Sequence, residues 1–237
     1  MDVLEVNKSN KYRHPWELSR RDSLLNILKR YDRNLQYADI GAGDLFFTKY
    51  LSQIISKPIY AVDPFLKDVS EIRNIVILED SKDIPSKSID FVLLLDVLEH
   101  IQDDKSFLEL LNTKLKDGGR MVITVPAFQF LYSDRDKFLK HYRRYRYGQI
   151  RSLLENNFDI EESFYFYTTL FFMRLVSRFF KKKDYGVGNW KYEEKSIITR
   201  AIRCILNLDF VVNRCLNKLF IRLPGLSLCI ICKKKSV

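Results

Sequence analysis

The stretch QYADIGAGDLFF, residues 36–47, limits what this chain can fold into more than any other. Tyr37, Ala38 and Ile40 make an apolar run too short for a helix. Gly41 and Gly43 then permit a turn that residues bearing a Cβ adopt only under strain. A strand that passes through such a turn into a helix aims backbone N–H groups at whatever lies over the crossing. Asp39 closes the strand. A second acid, Asp63, ends the next apolar run, PIYAVD, and so puts a carboxylate at the tip of the neighbouring strand, where two ribose hydroxyls can reach it. The third glycine of the dinucleotide pattern is missing, because Leu45 stands in its place. That argues against a pyrophosphate on the helix and for a ligand without phosphates. For the glycine pair taken alone, an ordinary tight βα turn is the alternative.

The elements that follow give this crossing its setting. Residues 14–30 carry Leu18, Leu24, Leu25 and Leu28 at roughly helical spacing, which predicts a helix ahead of the first strand. Helices are expected near 48–56, 66–73, 104–115 and 147–156. Strands are expected at PIYAVD, IVILE, FVLLLD, RMVITVP after the turn DGG, FDIEESFYFYT and LSLCIICKK. FVLLLD, residues 91–96, is apolar throughout, as a central strand covered on both faces must be. This alternation predicts an α/β fold, a doubly wound and mostly parallel seven-stranded sheet with a helical insertion before the last strand. It reads as one domain: a leading helix at 12–35, a core at 36–167, the insertion at 168–223 and the last strand at 224–235. Ligands bind such sheets at the carboxyl ends of the strands. Asp39, Asp63, Asp80 and Asp96 all fall at or just past those ends.

Composition adds limits. At 237 residues and 46% hydrophobic content the chain has ample material for one core. Its net charge of +10, concentrated after residue 140, suits an anionic partner such as nucleic acid, a membrane surface or a phosphorylated substrate. The opening MDVLEVNKSNKYRHPWE is polar and charged, which predicts a cytoplasmic chain. Cys204, Cys215, Cys229 and Cys232 are expected as reduced, buried thiols. The two in CIIC stand three apart on a strand and face opposite sides, which argues against a zinc knuckle.

These residues resemble a class I S-adenosylmethionine-dependent methyltransferase over about residues 12–160 and the closing strand. DIGAG is similar to that family's first motif without its last glycine. On this resemblance Asp39, Gly41, Ala42, Gly43 and Asp96 line the cofactor pocket. Asp63, followed by Pro64, holds the ribose, and Asp80 with Ser81 lies beside the adenine. LLLDVLEHIQD resembles the fourth-strand motif of small-molecule methyltransferases. HPWELSRR and VPAFQFLYSDRDKFLKHYRRY are similar to segments of a bacterial subfamily that acts in surface-polysaccharide and polyprenyl-linked sugar synthesis. The resemblance therefore implies a small-molecule, glycan or polyprenyl-linked acceptor. It also implies that Trp16, Arg20 and Arg21 cover the site, Trp16 on the acceptor side and Arg21 on the cofactor carboxylate.

A hydroxyl acceptor needs a base. His100, just after the central strand, and His141, after the fifth, are the candidates, each with a purely structural role as its alternative. Asp96, Glu99, His100 and His141 also resemble the ligand set of metal-assisted methyltransferases, although a site without metal is the favoured expectation. Arg143, Arg144 and Tyr145 read as a clamp for an anionic group on the acceptor, or as part of a solvated basic face.

The insertion holds two basic amphipathic segments, the first with Arg174, Arg178 and Lys181 at helical spacing and the second with Arg200, Arg203, Arg214, Lys218 and Arg222 on its polar side. Arg174 interrupts the earlier apolar run, which is shorter than the roughly 20 apolar residues a membrane span needs. These helices fit peripheral contact with an anionic membrane surface at its inner face, a lid, or a dimer face. Two other functions remain in play. An RNA methyltransferase suits the charge, but the fourth strand ends in DVLEH rather than in the aromatic motif of base-amino methylation, which argues against nucleic acid. A catalytically degenerate scaffold takes its support from Leu45.

Overall fold

The computed structural model describes residues 13–66, 72–179 and 193–236. Helix α1 (Pro15–Leu28) opens on a proline, whose missing N–H costs nothing in a first turn, and on His14, whose Nδ1 accepts the Trp16 N–H at 3.3 Å. Burial, helped by the nearby Arg135 charge, lowers the His14 pKa to about 4, so the ring stays neutral and able to accept.

The chain then runs β1 (Tyr37–Ile40), α2 (Phe46–Leu51), β2 (Ile59–Val62), β3 (Ile75–Leu78), β4 (Ile89–Leu95), α3 (Asp104–Lys114), β5 (Leu115–Pro126), α4 (Asp134–Phe138), α5 (Tyr147–Leu154), β6 (Phe158–Phe166), α6 (Thr168–Phe179), α7 (Ile197–Lys218) and β7 (Ser227–Lys234). Among the described residues the sheet has seven strands in the order β3-β2-β1-β4-β5-β7-β6. The first five are parallel, and β7 runs antiparallel to both of its neighbours. The expected doubly wound, mostly parallel fold is the observed one. Strand order reverses between β1 and β4, which places the ligand crevice of such a sheet outside their carboxyl ends.

β4 shows why its sequence is apolar without alternation. Val92 and Leu94 join one core layer with α3 and α5, while Phe91, Leu93 and Leu95 join the other with α1 and α7. Cys229 and Cys232 are buried in these two opposite layers, so they share no metal. Burial pushes both thiols well above their ordinary range. Cys204 and Cys215, expected to be buried, are exposed on α7.

Three further expectations change. α2 begins two residues early and is short, because Leu45 turns left-handed ahead of it. The DGG turn is taken into the start of β5. The helix expected near 66–73 lies largely outside the described residues. The expected polar side of α7 is split, since Arg203 turns inward to Asp22 of α1 and Arg214 to Glu162 of β6, while Arg200, Lys218 and Arg222 are exposed. Among the described residues no helix is long and apolar enough to cross a membrane.

Candidate active site

The β1–α2 crossing is built by backbone. Gly41 has φ +72°, and a Cβ there would lie 2.3 Å from Cγ2 of Val97, so both conformation and space require glycine. The N–H groups of Gly41 and Ala42 donate to Val62 O at 2.8 and 3.1 Å, tying the end of β1 to that of β2. Gly43, with φ +55°, donates its N–H to Asp63 Oδ2 at 2.8 Å. The Phe65 N–H reaches the other carboxylate oxygen at 3.0 Å. Asp63 is thus buried and oriented by two amides, and each oxygen keeps lone-pair capacity for a further donor. Pro64 leads out of the strand into Phe65, which is 72% exposed beside this carboxylate. Sequence reasoning passed over Phe65; its place directly after the strand-end acid was the available signal.

Asp39 is 2% exposed, and its Oδ2 accepts the Thr48 hydroxyl at 2.6 Å. Burial raises its pKa to about 6 against the opposing effects of the Thr48 hydrogen bond and the Arg20 charge. Leu45 occupies the third-glycine position at φ 63° and packs its side chain against Ala42, Ala61, Leu66 and Ile75. A leucine can replace the glycine because its side chain leaves the crossing for the core. Asp80 caps the single 3-10 turn Ser81–Asp83 and is half exposed, with Ser81 buried behind it.

α1 lies across these strand ends. Arg20 pairs with Asp96, which Thr124 also holds at 2.9 Å, and stacks 5.0 Å from the Trp16 ring. Trp16 is fixed in turn by its carbonyl, which accepts the Tyr167 hydroxyl at 2.9 Å. Arg13 pairs with Asp44, the residue after Gly43. Arg13 and Arg20 are therefore the arginines at these strand ends. Arg21, expected on the cofactor carboxylate, turns instead to Asp22 at 2.9 Å and Glu194 at 3.5 Å and stacks on Tyr50. Helical geometry separates the Arg20 and Arg21 side chains by about 100°.

Beyond β4, a 3-10 turn at Leu98–His100 brings Glu99 and His100 to His141. The two imidazole rings are 4.6 Å apart and nearly perpendicular. One ligand atom from each of Glu99, His100 and His141 lies within 4.8 Å of the others. Nδ1 of His141 faces Asp136 Oδ1 at 3.0 Å. Burial alone would raise the Asp136 pKa, but hydrogen bonds from His141 and Arg144 hold it far below the usual carboxylate range. An ionised carboxylate can only accept, so Nδ1 is the nitrogen that donates to Asp136, and Nε2 is the one turned away from it. Asp136 also takes the Ser133 N–H at 2.9 Å as the return half of a capping box. The S-x-x-D spacing at Ser133 was the missed signal for this residue. Asp96, expected beside the other three as a ligand, stays with Arg20 and Thr124 and lies outside the cluster.

The expected anion clamp does not form. Arg144 is buried on Asp136, with Nε and Nη2 at 2.8 and 3.1 Å. Arg143 is used by Asp104 at 2.7 Å and the Gln102 carbonyl at 2.8 Å. The buried Tyr145 hydroxyl meets Asp104 and the Leu98 carbonyl, and burial beside Asp104 raises its pKa. Arg144 and Tyr145 turn inward, while Tyr142 and Arg146 stay exposed, because the buried Asp136 and the half-buried Asp104 offer carboxylates that the linear pattern does not show.

These residues suit a cationic, phosphate-free nucleoside. Buried carboxylates stand at the crossing, and neither Leu45 nor Phe46 supplies the third glycine of a pyrophosphate-binding loop. A family model described as a methyltransferase domain matches residues 12–176. No match was found among curated proteins. Among solved structures, a SAM-dependent methyltransferase from Archaeoglobus fulgidus is 22% identical with a TM-score of 0.52, covering 92% of this chain and 97% of that one. The Burkholderia thailandensis 1,6-didemethyltoxoflavin-N1-methyltransferase, bound to S-adenosylhomocysteine, is 15% identical with a TM-score of 0.55, covering 93% and 80%. Haemonchus contortus phosphoethanolamine N-methyltransferase 2, in complex with phosphomonomethylethanolamine and S-adenosylhomocysteine, is 14% identical with a TM-score of 0.58, covering 97% and 56%.

Proposed function

The chain belongs to the methyltransferase-domain family, and from that premise we propose that it methylates a hydroxyl oxygen of a sugar, polysaccharide precursor or lipid-linked small molecule. The cofactor is S-adenosylmethionine, which when bound supplies an electrophilic methyl group on a sulfonium. Asp63, aligned by the Gly43 and Phe65 amides, accepts the ribose hydroxyls. Gly41 and Gly43 let the backbone approach closely. α1, with Trp16 stacked on Arg20, covers the strand ends and limits water, which favours a reaction that disperses charge.

The observation that carries an oxygen acceptor is the Asp136–His141 pair opening on His100. An imidazole held by an ionised carboxylate takes a hydroxyl proton at Nε2, and the carboxylate stabilises the imidazolium that results. Arg144 keeps Asp136 ionised and in place. The glycan or lipid-linked class takes its support from the two subfamily-like segments, HPWELSRR and VPAFQFLYSDRDKFLKHYRRY.

A second reading is favoured by the convergence of Glu99, His100 and His141. One carboxylate and two imidazoles suit a divalent cation, and Asp136 behind His141 is the outer partner such ligands commonly have. An ion there would bind substrate oxygens and lower the pKa of the one attacked.

The test uses cofactor labelled in the methyl group, with lipid and polysaccharide extracts as acceptors, with and without EDTA. Label recovered as a methyl ether in sugar or lipid supports the proposal, and its loss in EDTA selects the metal-assisted form. Label appearing only in RNA or only on nitrogen overturns the acceptor assignment.

A further inference from the structure

α7 is apolar on two sides: Leu206 and Phe210 pack into the core, and a second apolar face is exposed. Asp209 and Asn213 face the protein: Asp209 receives the Thr168 and Thr169 N–H groups at 3.1 and 2.8 Å, and Asn213 bonds both Asp209 and Thr168. Arg203 and Arg214 are committed to Asp22 and Glu162. Its other large apolar residues face outward. Ile198, Ile205, Leu208 and Val212 are 67, 57, 63 and 42% exposed, and Leu219 and Phe220, directly after the helix, are 68 and 95% exposed. The positions 198, 205, 208, 212 and 219 repeat at helical spacing, so they form one stripe along the full 22 residues, roughly 33 Å long. A single exposed leucine needs no explanation, but a continuous stripe marks a contact surface.

Charge decides what covers it. Arg200 and Lys218 are both exposed, and both fall on one flank of the stripe, 18 residues and five turns apart. The one acid of α7, Asp209, points inward. Pairing with a second copy through a two-fold axis would set these cations around a face that offers no carboxylate to meet them. An anionic lipid surface satisfies the stripe and the flank together. We infer that α7 lies in the headgroup region of an anionic membrane, its outward stripe in the acyl boundary and Arg200 and Lys218 on lipid phosphates. α7 packs along α1, the helix that carries Trp16 and Arg20 over the crossing, so docking sets the membrane one helix layer from the site. The inference does not depend on the acceptor.

The experiment is co-sedimentation of the purified chain with vesicles of phosphatidylcholine alone or mixed with phosphatidylglycerol, with light-scattering mass measured in parallel. A monomer that sediments with the mixed vesicles and not with the neutral ones is the expected result. Ile205→Gln combined with Leu208→Gln should reduce binding by roughly tenfold or more. Arg200→Gln and Lys218→Gln should each reduce it roughly fivefold. All four positions are surface ones, and circular dichroism checks the fold. If the paired apolar variant fails to fold, the two cation variants still decide the matter. Equal binding to both vesicle types, no binding to either, or a wild-type dimer that the paired variant converts to monomer overturns the inference. Because the readout is sedimentation, its failure leaves the methyl-transfer assignment standing.

Discussion

Nδ1 of His141 lies 3.0 Å from Oδ1 of Asp136, and Arg144 grips the same carboxylate at two points, so the ring is aimed by a buried ion pair rather than by its own loop. The loop backbone adds a further tie, as the Tyr142 N–H donates to Glu99 O at 2.8 Å and holds His141's segment against the turn bearing His100.

Removing the ring and removing its holder should therefore differ. His141→Ala leaves the Asp136–Arg144 pair intact and should lower turnover by about 10²–10⁴-fold, the range of a lost general base. Cofactor affinity should not change. Asp136→Asn strands a buried guanidinium and should also destabilise the fold by about 3 kcal/mol. Labelled-methyl kinetics and chemical denaturation read the two effects. Unchanged turnover in His141→Ala would remove the base assignment.

Leu45→Gly sets two effects against each other. Glycine relieves a left-handed conformation worth roughly 1–2 kcal/mol in an L residue. It also deletes a side chain that is 1% exposed and packed in its own cluster, a loss of about 3–5 kcal/mol. Packing wins, so the variant that restores the family's glycine should be less stable by about 2 kcal/mol, measured by denaturant midpoint at constant slope. A more stable variant would mean that strain dominates at this turn.

Gly41→Ala brings both penalties to one atom, since a Cβ at φ +72° also meets Val97 Cγ2 at 2.3 Å. The expected result is loss of detectable cofactor binding by calorimetry and a stability drop of roughly 2–4 kcal/mol. Adding Val97→Ala removes the overlap and leaves the backbone strain, so rescue should be partial. Full rescue would show that the glycine serves packing alone.

The sheet was legible in the sequence because each strand carries its own pattern. FVLLLD has no polar face, and IVILE and PIYAVD are short apolar runs between turn residues. The ends Asp39, Asp63, Asp80 and Asp96 could be placed because a strand end is a local feature. What was not legible depends on partners distant in sequence. Arg144 and Tyr145 look like a surface clamp until Asp136 and Asp104 are brought beside them. Arg20 and Arg21 are indistinguishable until α1 is rotated against Asp96. The second, outward apolar face of α7 was hidden for the same reason, because Asp22 and Glu162, which draw Arg203 and Arg214 inward, lie on α1 and β6.

Asp39 gives a prediction in pH. Its carboxyl, ordinarily near 3.8, is raised to about 6 by burial, so between these values the folded state binds more protons than the unfolded chain. The stability linked to this proton is fully present below about pH 3.8 and is lost as pH rises through about 6. Asp39→Asn carries no such charge and can still accept from Thr48 through its carbonyl oxygen. Above pH 7 the variant should be more stable than the parent by up to about 3 kcal/mol. That advantage should shrink through pH 6 and vanish near pH 4. His14 works in the opposite sense, since its pKa is lowered to about 4 and its contribution is lost as pH falls. It is common to both proteins and cancels in their difference. Denaturation of the pair across this range is the measurement, and a difference that stays flat with pH would show that Asp39 titrates normally. A charge kept at such a cost beside the crossing is expected to serve the cationic cofactor, so the stabilised variant should bind S-adenosylmethionine more weakly in calorimetry at pH 7.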